Sequence, residues 1–451
     1  MTKKIPLSPI ATLALIASPL LGQQYDFAAC AKYSEARNGH AVLVMQDGKV
    51  LFERYANGWS NSKAHRLASG TKSFAGTLLA IAVDDGFFGF DEKVSKTLVE
   101  WKSDPRKSQI SYRQLLGLVS GLDGGSIGGA PSYSAAVASR TIAAPGKSFD
   151  YGPNPFQVFG EALKRKLAAQ PRPETVTAYL SRRLITPLGM KVGFWRNANK
   201  GEPQLPSGLY LTAREWAKFG DMVASGGVYG SKRILATKHL RQCFVSTKVA
   251  PSYGVGWWLP PTNSPLPSDL CMAKGSGKQR LYVLPSKRLV VLRFGETLGR
   301  FSDIAFLSAL MPATSREFGR GCRGSVGVPR LQADPTQKPI YGQFLSFGVS
   351  AIPTQAPGLY YLGMSKKLFG AIPLPLDLSQ IGLLSCSLLV SPDISIPFLA
   401  QNGRNLMSFP LPRDNGLPGQ DLYLQALVVD QGANKAGITL SNGLEVRVGL
   451  Q

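Results

Sequence analysis

The chain has 451 residues, of which 51 are Lys or Arg and 28 are Asp or Glu, giving a formal charge of +23 at pH 7. That length allows two or three domains with a large core, and an apolar content of 44% excludes a disordered or collagen-like chain. The charge favours anionic surfaces such as cell-wall polymers or lipid headgroups, or is a plain solvated basic face; no nucleic-acid-binding motif accompanies it.

The N-terminus reads as a secretory signal. Lys3 and Lys4 form a short basic region, and Ile5 to Leu21 is apolar but broken by Pro6, Pro9 and Pro19. The run is short for a spanning helix, so we expect residues 1–22 to be a signal peptide, with cleavage after Gly22. The expected location is secreted, periplasmic or cell-surface, with no transmembrane anchor after cleavage; an uncleaved anchor is the alternative. The five cysteines are Cys30, Cys243, Cys271, Cys322 and Cys386. Export allows disulfides, and an odd count leaves one thiol free or paired between molecules. The three histidines, His40, His65 and His239, are scattered. With no C-x-x-C or Cys/His cluster, neither a metal site nor a cofactor is expected.

His40–Met45 and Lys49–Tyr55 flank Gln46-Asp47-Gly48, a hairpin signal. After a polar loop, Ser69-Gly70-Thr71-Lys72 opens a long apolar run, Phe74 to Val83, which ends at Asp84-Asp85-Gly86. This predicts a helix closed by glycine. Helices are also expected at Asp91–Trp101, Ser111–Val119, Pro155–Ala169 and Pro173–Leu184. A further one over Thr212–Val223 carries a capping-box pattern, Thr212 with Glu215. Strands are expected at Tyr253–Trp258, Gln279–Leu284 and Leu289–Phe294, and a last helix at Arg300–Leu310. The two strand groups should form one largely antiparallel sheet with the helical block inserted between them.

Gly319 to Ser325 has linker composition. Beyond it come short β-like runs: Gln343–Ser350, Leu359–Met364, Cys386–Val390, Leu406–Leu411, Leu422–Val429 and Leu444–Val448. That is the pattern of a small β-sandwich, which Cys322 and Cys386 are placed to staple. The expected fold class is therefore α+β. Its expected parts are a signal peptide (1–22), a sheet-plus-helices domain (23–318) and an all-β module (319–451).

Ser69 and Lys72 stand at i and i+3, so on a helix they share a face. Ser69 would lie at the helix N-terminus, where free N–H groups and the helix dipole favour negative charge. That suits a serine that becomes an alkoxide and then an acyl-enzyme, although an S-x-x-K tetrad alone also fits a plain N-cap. Two later stretches support the chemistry. Pro145-Gly146 through Tyr151 and Asn154 places a tyrosine in a turn before a helix. Ala273-Lys274-Gly275-Ser276 offers small residues that let a strand edge approach the nucleophile. Two other matches lack the required context. Gly124-Gly125-Ser126-Ile127-Gly128 fits G-x-S-x-G but sits in a glycine-rich loop. Gly275-Ser276-Gly277-Lys278 lacks the leading glycine and the Ser/Thr of a phosphate loop.

Taken together, these pieces resemble the serine β-lactamase-like hydrolases: class C β-lactamases, family VIII carboxylesterases, D-aminopeptidases and penicillin-binding proteins. The resemblance covers about Phe27 to Pro312. It includes the hairpin, Ser69 to Phe74, Leu115 to Leu122, the Tyr151 segment, Pro187-Leu188-Gly189-Met190, Leu211 to Glu215 and Tyr253 to Trp257. It implies Ser69 as nucleophile, Lys72 as the group that takes its proton and Tyr151 as the acid/base for the leaving group and the deacylating water. It also implies an oxyanion hole from the N–H groups of Ser69 and Ser276, with Asn154, Lys274 and Gly275 binding substrate. Two departures bear on specificity. Tyr151 is followed by Gly152-Pro153, so Asn154 comes one place later than in the family's Tyr-x-Asn. Ala273-Lys274-Gly275 replaces the usual Lys-Thr-Gly or His-x-Gly. Both favour an ester or amide hydrolase over an efficient β-lactamase. The alternatives are a β-lactamase or D-amino-acid peptidase and, from another class, a non-catalytic cell-wall binding protein. The expected partners are a small ester, amide or β-lactam substrate and anionic surface polymers. The C-terminal module resembles β-rich segments of secreted planctomycete-type proteins, through Cys386–Asp393 and Gln425–Asp430.

Overall fold

The computed structural model describes residues 25–262, 264–296 and 299–450; the expected signal segment, 1–22, lies outside the described residues. Five antiparallel strands form the sheet of the first unit, in the order Cys271–Gly275, Gln279–Leu284, Leu289–Gly295, Gly39–Gln46, Lys49–Tyr55. The two strand groups thus join in one sheet as the sequence predicts. The hairpin turns at Asp47 and Gly48 with φ of 49° and 73°, the paired positive values of a tight two-residue hairpin turn.

The central strands are apolar at nearly every position because both faces are covered. Leu43, Leu281, Val283, Val290 and Leu292 point into a core shared with the helical block. Val42, Val44, Tyr282, Leu284 and Val291 point the other way, into a core built with Phe306, Leu307 and Leu310. Those last three lie on the Asp303–Leu310 helix, which packs beside the Phe27–Glu35 helix. On the first face, the Ala213–Ala224 helix lies directly on the sheet. A Cβ at Gly220 would stand 2.7 Å from Val290 Cγ1, so glycine permits that approach. The Lys72–Asp84 helix runs through the middle of this core and is buried from Lys72 to Ala82.

Three predicted elements differ. Asp91–Trp101 forms two 3₁₀ turns, Val94–Lys96 and Val99–Ser103, in place of a helix. Its backbone bonds outward instead, with Val94 N–H donating to Ile110 O and Glu92 O accepting from Tyr112 N–H. Pro173–Leu184 is helical only over Val176–Leu180, followed by a π turn at Ser181–Ile185. Tyr253–Trp258 is not a strand but a looped segment with isolated bridges Tyr253–Trp258 and Trp258–Met272. Gly256 has φ of 76°, and a Cβ there would meet Lys72 O at 2.5 Å, so this loop is pressed onto the central helix. The Thr212 cap forms, but the buried Glu215 carboxylate accepts from Lys191 N–H and pairs with Lys218, leaving the capping box half made.

The C-terminal unit has two antiparallel sheets. One orders Thr314–Phe318, Ile438–Arg447, Asp421–Val429, Pro357–Gly363 and Ile394–Leu399; the other orders Arg330–Ala333, Phe344–Ser350 and Arg404–Pro410. They enclose a core that includes Leu331, Phe347, Tyr360, Val428 and Val446. Thr314–Phe318 pairs with Ile438–Arg447, so β structure of this unit begins before residue 319. Its exposed Thr-Ser-Arg-Glu stretch carries no apolar alternation that would mark an edge strand. Cys322 and Cys386 are disulfide-bonded, whereas Cys30, Cys243 and Cys271 are buried free thiols. The two units touch: Leu450 is buried with Met311 and Tyr25, and Lys287 Nζ donates to Gly416 O at 2.6 Å.

Candidate active site

Ser69 lies in a 3₁₀ turn, Ala68–Thr71, that runs straight into the Lys72–Asp84 helix. The turn is held from outside. Leu67 N–H donates to Leu209 O, and Thr71 Oγ1 donates to Ala68 O at 2.8 Å while accepting from Leu209 N–H. Ala68 has φ of 48°, a left-handed conformation that costs an alanine on the order of 1 kcal/mol or more. The surrounding bonds hold this strained residue next to the serine. Ser69 is the second residue of the turn, so its N–H has no acceptor within it.

Lys72 is 4% exposed. Its Nζ donates to Ser69 Oγ at 3.2 Å and to Pro206 O at 3.2 Å, and it stands 4.7 Å from the Tyr151 ring centroid. Burial pushes its pKa down to about 7, and among the described residues no carboxylate opposes the shift. At neutral pH this amine is therefore unprotonated in a substantial fraction of molecules, which is what a proton acceptor needs.

The Tyr151 hydroxyl adjoins the Ser69 side chain and the Trp258 indole. Burial raises its pKa above the usual value, with Ser69, the Arg280 charge and Trp258 partly offsetting that rise. It stays a phenol, able to donate, at physiological pH. Beside it stands an aromatic wall. Trp258 lies 5.7 Å from the Tyr151 ring and 5.0 Å, edge-on, from Tyr253; Phe149 lies 5.5 Å from Tyr253.

The fourth side is the end of the Cys271–Gly275 strand. A Cβ at Gly275 would lie 2.1 Å from Leu67 O and 3.2 Å from Gly70 N. Only glycine lets the strand reach the serine turn this closely. Gly70 is itself pinned, since its Cβ would meet Trp216 Cζ2 at 3.0 Å. Ser276 follows Gly275 directly, so its backbone N–H leaves the strand beside the Ser69 turn.

Ser69, Lys72, Tyr151 and Gly275–Ser276 therefore come together around one point. The side chains of Asn154 and Lys274 have other partners. Asn154 Nδ2 donates to Asp123 O at 3.1 Å, and its amide packs against Gly125. Lys274 Nζ donates to Asp303 Oδ2 at 2.9 Å. Asp303 also accepts from Arg280 Nε at 2.7 Å and Tyr282 OH at 2.6 Å. Burial alone would raise the Asp303 pKa; Arg280 and Lys274 outweigh it and hold it down to about 2. Sequence reasoning missed Trp258, the Pro206 carbonyl and the Arg280–Asp303 pair. The doubled tryptophan at 257–258 was the available signal for the first. Of the two matches set aside earlier, Ser126 lies on an exposed loop away from this site, whereas Gly275-Ser276 borders the serine turn as a strand end and the following 3₁₀ turn, Ser276–Lys278, not as a phosphate loop. Among the described residues, no group of three or more His, Cys, Asp or Glu side chains is placed to hold a metal.

A family model described as Beta-lactamase matches residues 26–303. The chain belongs to that family. Solved structures of this β-lactamase fold match a comparable share of the chain. A family VIII carboxylesterase is 14% identical with a TM-score of 0.51, over 65% of this chain and 98% of its own. A penicillin-binding protein homologue from Caulobacter crescentus is 16% identical with a TM-score of 0.50, over 60% and 91%. EstCE1, described as a hydrolase with promiscuous acyltransferase activity, is 15% identical with a TM-score of 0.50, over 60% and 94%. At such identities the likeness concerns the fold. No curated protein matches the chain. The family is one of hydrolases, and the fold class is the mixed α+β arrangement expected, with a β-rich C-terminal region.

Proposed function

We propose that this protein cleaves a carboxylic ester or amide through an acyl-enzyme on Ser69. The observation that carries the proposal is a buried amine, Lys72, 3.2 Å from a half-buried serine hydroxyl and, among the described residues, without a carboxylate partner. A lysine kept only for stability would be paired or solvated, because burying an unpaired cation costs several kcal/mol.

In this reading neutral Lys72 takes the Ser69 proton as Oγ attacks the substrate carbonyl. Negative charge develops on the carbonyl oxygen, and the N–H groups of Ser69 and Ser276 stabilise it. Tyr151 gives its proton to the leaving oxygen or nitrogen and regains one from the Lys72 ammonium beneath its ring. Water then enters the vacated position and attacks the acyl carbon, losing a proton to the Tyr151–Lys72 pair; the bond to Ser69 Oγ breaks, the acid leaves, and the pair returns that proton to Ser69 Oγ. The protons balance over the cycle, and no metal or cofactor takes part.

The engagement of Asn154 by Asp123 O and of Lys274 by Asp303 supports an esterase or amidase. Side-chain recognition of a β-lactam amide and carboxylate would need those groups free. A β-lactamase or D-amino-acid peptidase is the second reading, and a non-catalytic cell-wall binding protein the third. We also propose export through the 1–22 signal and a surface or periplasmic location, on the sequence pattern alone. Intact mass after a fluorophosphonate probe, and separately after penicillin, tests the catalytic reading, with Ser69→Ala as control. A probe adduct that disappears in Ser69→Ala is expected. A lasting penicillin adduct would favour the second reading, and no adduct with either reagent would favour the third.

A further inference from the structure

The chain leaves the C-terminal sheet after Gly363 and returns at Ser391. The neck is closed by Ser391 N–H donating to Ser365 O at 2.8 Å and Ser365 N–H donating to Ser391 Oγ at 3.1 Å. Between them the chain makes two small hairpins, Leu368–Phe369 with Ile372–Pro373 and Leu376–Asp377 with Ser387–Leu388. The Cys386–Cys322 disulfide ties this excursion to the body, and Leu383 packs beside it with Leu440.

Its outer surface is apolar. Leu368, Phe369, Ile372, Ile381 and Leu384 are 40%, 39%, 43%, 67% and 71% exposed. A folded chain normally scatters such side chains singly. Here five fall within seventeen consecutive positions, and residues 367–373 are all exposed. Around the base the charge is basic. Lys367 is exposed, Lys366 half-buried, and exposed Arg320 and Arg323 flank disulfide-bonded Cys322. Glu445 is paired with Lys366 and Arg316, while Asp377, exposed and accepting from Ser379, is the one carboxylate of the excursion itself. An apolar tip above a basic collar, on a chain of charge +23, complements a surface with an apolar interior and anionic headgroups.

We infer that the 365–391 excursion inserts its apolar tip into the headgroup region of an anionic phospholipid surface, holding the hydrolase peripherally on a membrane. Among the described residues no helix is long and apolar enough to cross a bilayer, so this contact would be interfacial. The inference is independent of the catalytic reading, since the excursion contributes no residue to the Ser69 site.

The test is co-sedimentation of the full mature chain with vesicles of phosphatidylcholine alone or with about 30% phosphatidylglycerol. A Phe369→Ser/Ile372→Ser double variant is compared with Ile127→Ser, which alters an exposed isoleucine on the other unit. Binding to the anionic vesicles is expected, weakening as salt rises. The double variant should bind at least about tenfold less, and Ile127→Ser should bind as the parent does. Unchanged thermal unfolding shows that the double variant is folded. Three results would overturn the inference. These are a parent that ignores vesicles while binding a soluble anionic polymer such as polyphosphate, a double variant that binds vesicles as the parent does, and loss, on the same substitutions, of a concentration-dependent dimer seen by light scattering.

Discussion

The pH dependence of the hydrolytic reaction follows from one number, the Lys72 pKa of about 7. If the neutral amine is the working form, its fraction is about one-tenth at pH 6, half at pH 7 and nine-tenths at pH 8. kcat/KM for a short-chain nitrophenyl ester should rise about tenfold from pH 6 to 8 and level off by pH 9. Burial raises the Tyr151 pKa above its usual 10, so no descending limb is expected below about pH 10. The assay is initial rate at subsaturating substrate, with the blank hydrolysis subtracted at each pH. Lys72→Met should lower kcat/KM by about 10²–10⁴-fold, the usual contribution of a general base, and remove the ascending limb. A flat profile would refute the reasoning. So would a rate that keeps climbing tenfold per pH unit to pH 10, because Lys72 would then titrate as a solvated amine.

The same residue makes a stability prediction of opposite sign. The folded pKa of Lys72 lies below its unfolded value of about 10.4, so below pH 7 the fold carries a buried ammonium that destabilises it. As pH rises from about 7 to 10 the unfolded chain still holds that proton while the folded chain has released it, and this contribution to stability grows. Lys72→Met should therefore melt higher than the parent at pH 6, with the difference shrinking toward pH 10; a lower melting temperature at pH 6 would contradict this. Tyr151→Phe should keep the fold and lower kcat/KM by about 10²–10⁴-fold for an alkyl ester, whose leaving oxygen needs a proton. Gly275→Ala places a Cβ 2.1 Å from Leu67 O, and a displacement near 1 Å at the serine turn should cost about 10²-fold in kcat/KM. Replacing both Cys322 and Cys386 by Ser opens a link between residues 64 apart, worth about 4 kcal/mol by loop-closure entropy. Urea unfolding followed by near-ultraviolet circular dichroism should show an earlier transition, with esterase activity lost later than that transition.

What the sequence made legible were features with local causes. Asp47-Gly48 between apolar runs forms the hairpin because both residues tolerate positive φ. Leu289–Phe294 and Gln279–Leu284 form strands because each carries an apolar run, Leu289–Leu292 and Leu281–Leu284, as sheet interiors covered on both faces require. Ser69 and Lys72 meet because spacing on one turn dictates it. What stayed hidden depends on distant partners. Val94 bonds Ile110 instead of a helical neighbour, and no local pattern announces that choice. The Tyr253–Trp258 stretch has strand-forming residues, yet Gly76 and Gly256 let it fold onto the central helix. Asn154 and Lys274 carry the right chemistry for binding substrate, but Asp123 O and Asp303 reach them from 31 and 29 positions away.

The sheet that carries the site joins Gly39–Gln46 to Leu289–Gly295, strands some 250 positions apart. At about 5–20 residues per second, a ribosome needs on the order of ten to fifty seconds to supply the second after the first. During that interval the Val42–Met45 run, buried on both faces in the finished sheet, has only the Lys49–Tyr55 strand to lean on. An isolated two-stranded hairpin is marginal in water. Assembly of the nucleophile's scaffold is thus one of the last events in the making of this unit. The nascent chain must carry an unfinished, aggregation-competent edge through most of its synthesis.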